Sequence, residues 1–127
     1  MGLLEPSDWT ARWIGNREDA YPDSTLTTPA PYFRKTFRIN KPVKQAKAYI
    51  CGLGFYEMYL NGERVGDQVL APAVTNFDRR SLKKMLYFFD DQSNQRVLYN
   101  TFDVTSLVQK AENTVGVLLG NGWYNQR

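Results

Sequence analysis

Five carboxylates near predicted turns and strand faces are the residues with the clearest capacity for catalysis. Hydrolysis of a glycosidic bond needs two carboxyl groups, one on each side of the bond, about 5–5.5 Å or 6.5–9.5 Å apart. The candidates are Glu57, Glu63, Asp67, Asp78 and Asp103. Their spacing brings no two of them together, and carboxylates in hairpins are more often solvated than catalytic. Because the sequence contains no histidine, nucleophilic catalysis of the Ser-His-Asp or Cys-His kind is excluded.

An aromatic and amide-rich segment at 121–125 has the composition of a carbohydrate-binding site. A flat aromatic ring covers the apolar C–H face of a pyranose, while amides and carboxylates bond its hydroxyls. Asn121, Trp123 and Tyr124 supply this mixture. Glu57, which stands among aromatic residues in a predicted strand, is the fourth candidate. The alternative is that Trp123 packs under further chain instead of contacting a ligand.

The composition argues against several other classes of function. With no histidine and a single cysteine, Cys51, the chain has too few ligands for a usual zinc or iron–sulfur site. We therefore expect no metal and no cofactor. The net charge is only +3, from 16 Lys and Arg against 13 Asp and Glu, which argues against nucleic acid as a partner. No apolar run approaches the roughly 20 residues of a membrane span, and the N-terminus lacks the pattern of a secretory signal.

Alternating apolar residues predict the short strands that would position these groups. In the best-defined strand, Tyr56, Met58 and Leu60 share the face that we predict to be core. The opposite face, with Glu57 at its centre, is either covered or lines a groove. Strands are predicted over residues 32–39, 46–51, 55–60, 97–104 and 114–119, with Asn61-Gly62 as a tight hairpin turn after the third.

The predicted fold is all-β. Since no helix is long enough to connect parallel strands, the sheets should be antiparallel, and short strands joined by turns favour a β-sandwich. The only helical turn is expected near 106–110, capped by Asp103 or Thr105. We divide the chain into an N-terminal segment with a Pro-rich loop, 1–31, and the sandwich, 32–127. Only a short tail follows the strand at 114–119, which leaves open whether the sandwich is complete. An open sheet edge there would favour a homodimer.

Several motifs, in order along nearly the whole chain, resemble the N-terminal β-sandwich domain of bacterial α-L-rhamnosidases (glycoside hydrolase family 78). Any one of these motifs is weak evidence for the family, but five motifs in register are specific for it. Residues 81–96 look like an insertion relative to the family pattern. The motifs lie at 49–67 (YICGLGFYEMYLNGERVGD), 70–75, 99–105, 112–117 and 120–124, preceded by similar segments at 9–15 and 33–37.

The resemblance implies a jelly-roll, galactose-binding-domain-like fold and a non-catalytic accessory role. In such enzymes the acid and base carboxylates lie on a separate (α/α)₆ barrel, so this chain should hydrolyse nothing alone. It would act as a scaffold for the catalytic barrel of the same polypeptide or as a weak surface for rhamnose-containing carbohydrate, in a periplasmic or extracellular setting. The alternatives are an independent protein-interaction module and a small complete glycosidase that uses Glu57.

Overall fold

The computed structural model describes residues 4–15, 30–73 and 97–120. Within these ranges the chain forms six strands and one short 3₁₀ turn, Pro6–Asp8, and no α-helix. Among the described ranges, no helix has the length and apolarity needed to cross a bilayer. The strands are β1 Tyr32–Ile39, β2 Lys47–Ile50, β3 Phe55–Leu60, β4 Glu63–Arg64, β5 Asn100–Asp103 and β6 Ala111–Gly120.

The strands form two antiparallel sheets, as predicted. One sheet has four strands in the order β1-β6-β3-β4, and the other pairs β2 with β5. The chain crosses between the sheets at the glycine-rich bend of residues 51–54, because β2 belongs to the small sheet and β3 to the large one. The Asn61-Gly62 hairpin is confirmed: both residues have positive φ angles, 54° and 88°, which is the backbone that a two-residue hairpin turn requires.

The core lies between the two sheets, which makes the fold a sandwich. Tyr56, Met58 and Leu60 of β3 are 6%, 9% and 3% exposed, which confirms the predicted core face. Alternate residues of β6 extend this face, since Val115, Val117 and Leu119 lie opposite the three core residues of β3. The small sheet covers the core with Ala48, Ile50 and Phe102, and Val65, Ala71 and Val104 complete it.

The predicted strand at 97–104 is shorter than expected. Only Asn100–Asp103 is strand, because its partner β2 ends at Ile50, which lies opposite Asn100. Residues 97–99 therefore have no strand of the small sheet beside them.

The single turn predicted near 106–110 is present slightly earlier in the chain, at 104–108, and does not continue into a helix. The carbonyl of Val104 accepts hydrogen bonds from the amides of Leu107 and Val108, at 3.0 and 3.2 Å, which closes one turn. A helix would next need the Gln109 amide to bond back along the chain, but that amide donates to Asn113 Oδ1 at 2.7 Å. The predicted cap is present, since the Thr105 amide donates to Asp103 Oδ1 at 3.0 Å.

The final strand is not a sheet edge. β6 lies between β1 and β3 and pairs with both. The open edge at this strand, on which the homodimer prediction depended, is therefore absent. Among the described strands, the edges of the large sheet belong to β1 and β4.

Candidate functional site

A groove of about 630 Å³ opens on the outer face of the four-stranded sheet. Residues that alternate with the core positions point to this face. β1 contributes Tyr32 and Arg34, β6 contributes Thr114 and Gly116, and β3 contributes Tyr59. The sequence left two alternatives for the outer face of β3, a covered face or a groove. Tyr59 lies on this face and lines the groove.

Gly116 shapes the floor of this groove. It lies opposite Arg34 on one side and Tyr59 on the other, so the middle strand has no side chain between two large ones. A Cβ atom at this position would lie 2.6 Å from the hydroxyl oxygen of Tyr32. The missing side chain therefore lets the Tyr32 phenol lie against the sheet. A glycine inside a strand often marks such a close approach.

The end of the groove is built by the Asn61-Gly62 turn and by Gln109. Asn61 holds the turn in place, because its Nδ2 donates to Leu107 O at 2.8 Å and to Asn113 Oδ1 at 2.9 Å. Asn113 is only 1% exposed, and its Nδ2 donates to Gln109 O at 2.8 Å. Two asparagines far apart in sequence thus fix the wall of the groove.

Glu57, the one predicted carbohydrate-binding residue within the described ranges, lies beside the groove on the same face. The Tyr59 hydroxyl donates to Glu57 Oε2 at 2.8 Å, and Arg64 Nη2 lies 3.3 Å from Glu57 Oε1. The hydrogen bond to the Glu57 carboxylate raises the pKa of the Tyr59 phenol above its ordinary value. Glu57 therefore orients Tyr59 and balances the charge of Arg64.

The other predicted site residues are not brought to this groove by the described structure. Asn121, Trp123 and Tyr124, as well as the candidate Asp78, lie outside the described residues. Asp103 is on the small sheet, and its carboxylate caps the turn at Thr105. Among the described residues, no group of three or more His, Cys, Asp and Glu side chains could hold a metal ion.

A second surface, on the outer face of the small sheet, consists of three aromatic rings. Trp9 makes edge-to-face contacts with Tyr49 and Tyr99, with ring centroids 6.2 and 4.9 Å apart. The two tyrosine rings are 6.3 Å apart. We call Trp9, Tyr49 and Tyr99 the aromatic trio. Each ring is about 40% exposed, at 39%, 41% and 39%.

Sequence reasoning gave a groove as one of two alternatives for the outer face of β3, but it did not predict the other residues of the groove or the aromatic trio. The alternation in 97–104 divided the segment into two faces without showing which one is outer, and 9–15 was recognisable as aromatic. Contact between Trp9 and Tyr99 depends on the tertiary fold. Gly116 carried a local signal, since glycine is unusual inside an apolar strand. Arg34 appeared only as one of several basic residues in an amphipathic strand.

The comparisons with known proteins agree with this architecture. A family model described as "Alpha-L-rhamnosidase N-terminal domain" matches residues 41–87 and 86–127. The chain belongs to this family. An α-L-rhamnosidase of Formosa agariphila is 37% identical to the chain over 143 aligned positions, which include 99% of this chain but 13% of the relative.

Solved structures of α-L-rhamnosidases show the same fold. The native enzyme from Aspergillus terreus is 33% identical, with a TM-score of 0.70 over 99% of this chain and 13% of that protein. The Streptomyces avermitilis enzyme, solved in complex with L-rhamnose, is 37% identical, with a TM-score of 0.60 over 76% of this chain and 8% of that protein. The chain thus spans about an eighth of the length of the curated relatives that it matches most extensively, as an N-terminal domain.

Proposed function

We propose that this α-L-rhamnosidase N-terminal domain is a non-catalytic accessory domain, and that the aromatic trio docks it against the catalytic barrel of the same polypeptide. The observation that carries the proposal is three aromatic rings in mutual contact, each about 40% exposed. Trp13 and Ile14, in the same N-terminal segment as Trp9, are 66% and 71% exposed. Exposed apolar surface of this kind is typical of an interface with another protein surface.

The contacts of Glu57 support a non-catalytic role. A catalytic carboxylate must face a second one across the scissile bond. Glu57 instead binds Tyr59 and Arg64 on the large sheet, whereas Asp103 lies on the small sheet. The family match also favours a domain of a larger enzyme over an independent interaction module. Carbohydrate contact by Asn121, Trp123 and Tyr124 stays a prediction.

Substitution of Trp9 tests the docking role. Trp9 lies outside both sheets, so Trp9→Ala removes the centre of the trio and leaves the sandwich strands intact. Truncating a central aromatic residue of an interface costs about 2 kcal/mol or more. We therefore expect Trp9→Ala to weaken binding of the chain to a separately produced catalytic barrel by roughly thirtyfold in calorimetry.

The matched control is Tyr32→Ala, which truncates an exposed aromatic residue on the opposite sheet. Tyr32 is 60% exposed and should leave docking unchanged. Equal weakening by both variants, or absence of binding by the unmodified chain, would contradict the proposed docking role.

A further inference from the structure

Two polar side chains that line the groove on the large sheet make no hydrogen bond or ion pair with other described residues. Arg34 lines the groove and makes no hydrogen bond or ion pair with any other described residue. The backbone of Gln109 is bonded to Asn113, but no hydrogen bond to another described residue occupies its side-chain amide. Both side chains are therefore available to a ligand.

The remaining polar groups around the groove are already bonded and serve as its frame. The amide of Asn61 donates to Leu107 and Asn113, and the Thr114 hydroxyl lies 3.3 Å from that of Thr36. The Tyr59 hydroxyl donates to Glu57. These bonds hold the walls in place before any ligand arrives, which lowers the entropic cost of binding.

Tyr32 supplies a flat apolar surface within this frame. The residue is 60% exposed, and its hydroxyl lies against the sheet above Gly116. Tyr32 and Tyr59 both line the groove, so the two residues border the same space. An exposed ring beside hydrogen-bond donors suits the C–H face and the hydroxyls of a pyranose.

The charge of the groove selects the kind of sugar. Among the described residues that line it, Arg34 is the only charged one. The nearby Glu57 forms its ion pair with Arg64 and not with Arg34. β1, which contributes Arg34 to the groove, also contains Lys35 and Arg38 and has no aspartate or glutamate. A guanidinium that has no partner among the described residues, on a strand with only positive charges, favours a carboxylate, which it binds through two parallel hydrogen bonds.

We propose that this groove binds a glycosyl residue that carries a carboxylate, with the sugar ring on Tyr32, the carboxylate on Arg34 and a hydroxyl on Gln109. The site is separate from the docking surface because it lies on the other sheet. The domain would therefore hold an acidic stretch of a polysaccharide near the enzyme.

Two sugars that differ only at C6 test this proposal. Methyl β-D-glucuronide has a carboxylate where methyl β-D-glucoside has a hydroxymethyl group. Each is titrated into the isotopically labelled chain and followed by amide chemical shifts in NMR, which detect millimolar binding. We expect the glucuronide to bind about tenfold more tightly than the glucoside, the effect of one charge-assisted contact, with the largest shifts near Arg34 and Gly116.

Substitutions then assign the preference to its residues. Arg34→Gln should abolish the difference between the two sugars, whereas Arg38→Gln, on the same face of the same strand, should retain it. Gly116→Ala should weaken both sugars because its Cβ displaces Tyr32. Amide spectra of each variant in the absence of sugar establish that the sandwich is folded.

Three results with the two sugars would overturn the proposal, and a fourth comes from a simple anion. The three are equal binding of the two sugars, equal effects of Arg34→Gln and Arg38→Gln, and no shifts at the groove. A third titration uses sodium acetate, which has a carboxylate but no sugar ring. If acetate binds as tightly as the glucuronide, the groove recognises only an anion and not a sugar. Because docking depends on Trp9, failure of this proposal leaves the docking role intact, and failure of docking leaves the sugar site intact.

Discussion

At the scale of single residues, Gly52 permits the bend that carries the chain from one sheet to the other. An added Cβ would lie 2.7 Å from the carbonyl oxygen of Gly54 and 2.8 Å from Cδ1 of Tyr56. The first is a backbone atom and the second belongs to a core side chain, so neither moves freely. We expect Gly52→Ala to lower the free energy of unfolding by about 1–3 kcal/mol, the usual cost of overpacking, measured by urea denaturation.

Gly15 provides the control for this substitution. Among the described residues, no atom lies within 4 Å of an added Cβ there, so Gly15→Ala should change stability by less than about 0.5 kcal/mol. Similar losses in the two variants would show that the close contacts at Gly52 do not determine the effect.

Residues also differ in how well the sequence predicts them. The core positions Tyr56, Met58 and Leu60 follow from alternation, because a strand with one buried face repeats every two residues. The burial of Asn113 could not be predicted, since an amide is buried only where partners satisfy it. Its partner Asn61 is 52 residues away.

The Tyr56 hydroxyl is buried without a partner among the described residues, and burial raises the pKa of Tyr56 to about 12.

At the scale of elements, the sequence predicts the existence of strands better than their ends or their sheets. The strand predicted at 32–39 matches β1 throughout. The strand predicted at 97–104 was too long, because the length of a strand depends on the length of its partner strand. Local pattern also could not assign β2 and β3 to different sheets. The segment after Asp103 is limited to a single turn because the Gln109 amide donates to the side chain of Asn113 and not to a backbone carbonyl of the turn. Helix propensity does not set this limit.

The turn after β5 depends on the ionised form of Asp103. Hydrogen bonds from Thr105, first its side chain and then its backbone, lower the pKa of Asp103 below its ordinary value. A lowered pKa means that the carboxylate stabilises the fold above the unfolded pKa of about 3.9 and loses this effect as pH falls through the folded value. We expect the difference in Tm between the unmodified chain and Asp103→Asn to be largest near neutral pH and to shrink below about pH 4.

Thermal unfolding from pH 7 to pH 2 measures this difference. Asp103→Ala, which also removes the hydrogen-bond acceptor, should have a lower Tm than Asp103→Asn throughout. A difference between the unmodified chain and Asp103→Asn that does not vary with pH would contradict the role of the charge.

At the scale of the whole molecule, the two sheets present different chemistry on their outer faces. The large sheet has the Tyr32–Arg34 groove, and the small sheet has the aromatic trio. The central position of β6 makes β1 the long edge of the large sheet, and its Arg34, Lys35 and Arg38 are the kind of charged residues that oppose edge-to-edge pairing. Topology thus removes the reason for expecting a homodimer through β6, which the sequence alone could not show.

The arrangement of carboxylates over the molecule leads to the last prediction. Glu57 and Asp103 lie on the outer faces of opposite sheets, so they cannot flank one glycosidic bond at the ~5–10 Å that hydrolysis requires. We therefore expect the purified chain to release no nitrophenol from an aryl α-L-rhamnoside above the rate in buffer. Turnover that Glu57→Gln abolishes and Glu63→Gln retains would instead identify Glu57 as a catalytic carboxylate.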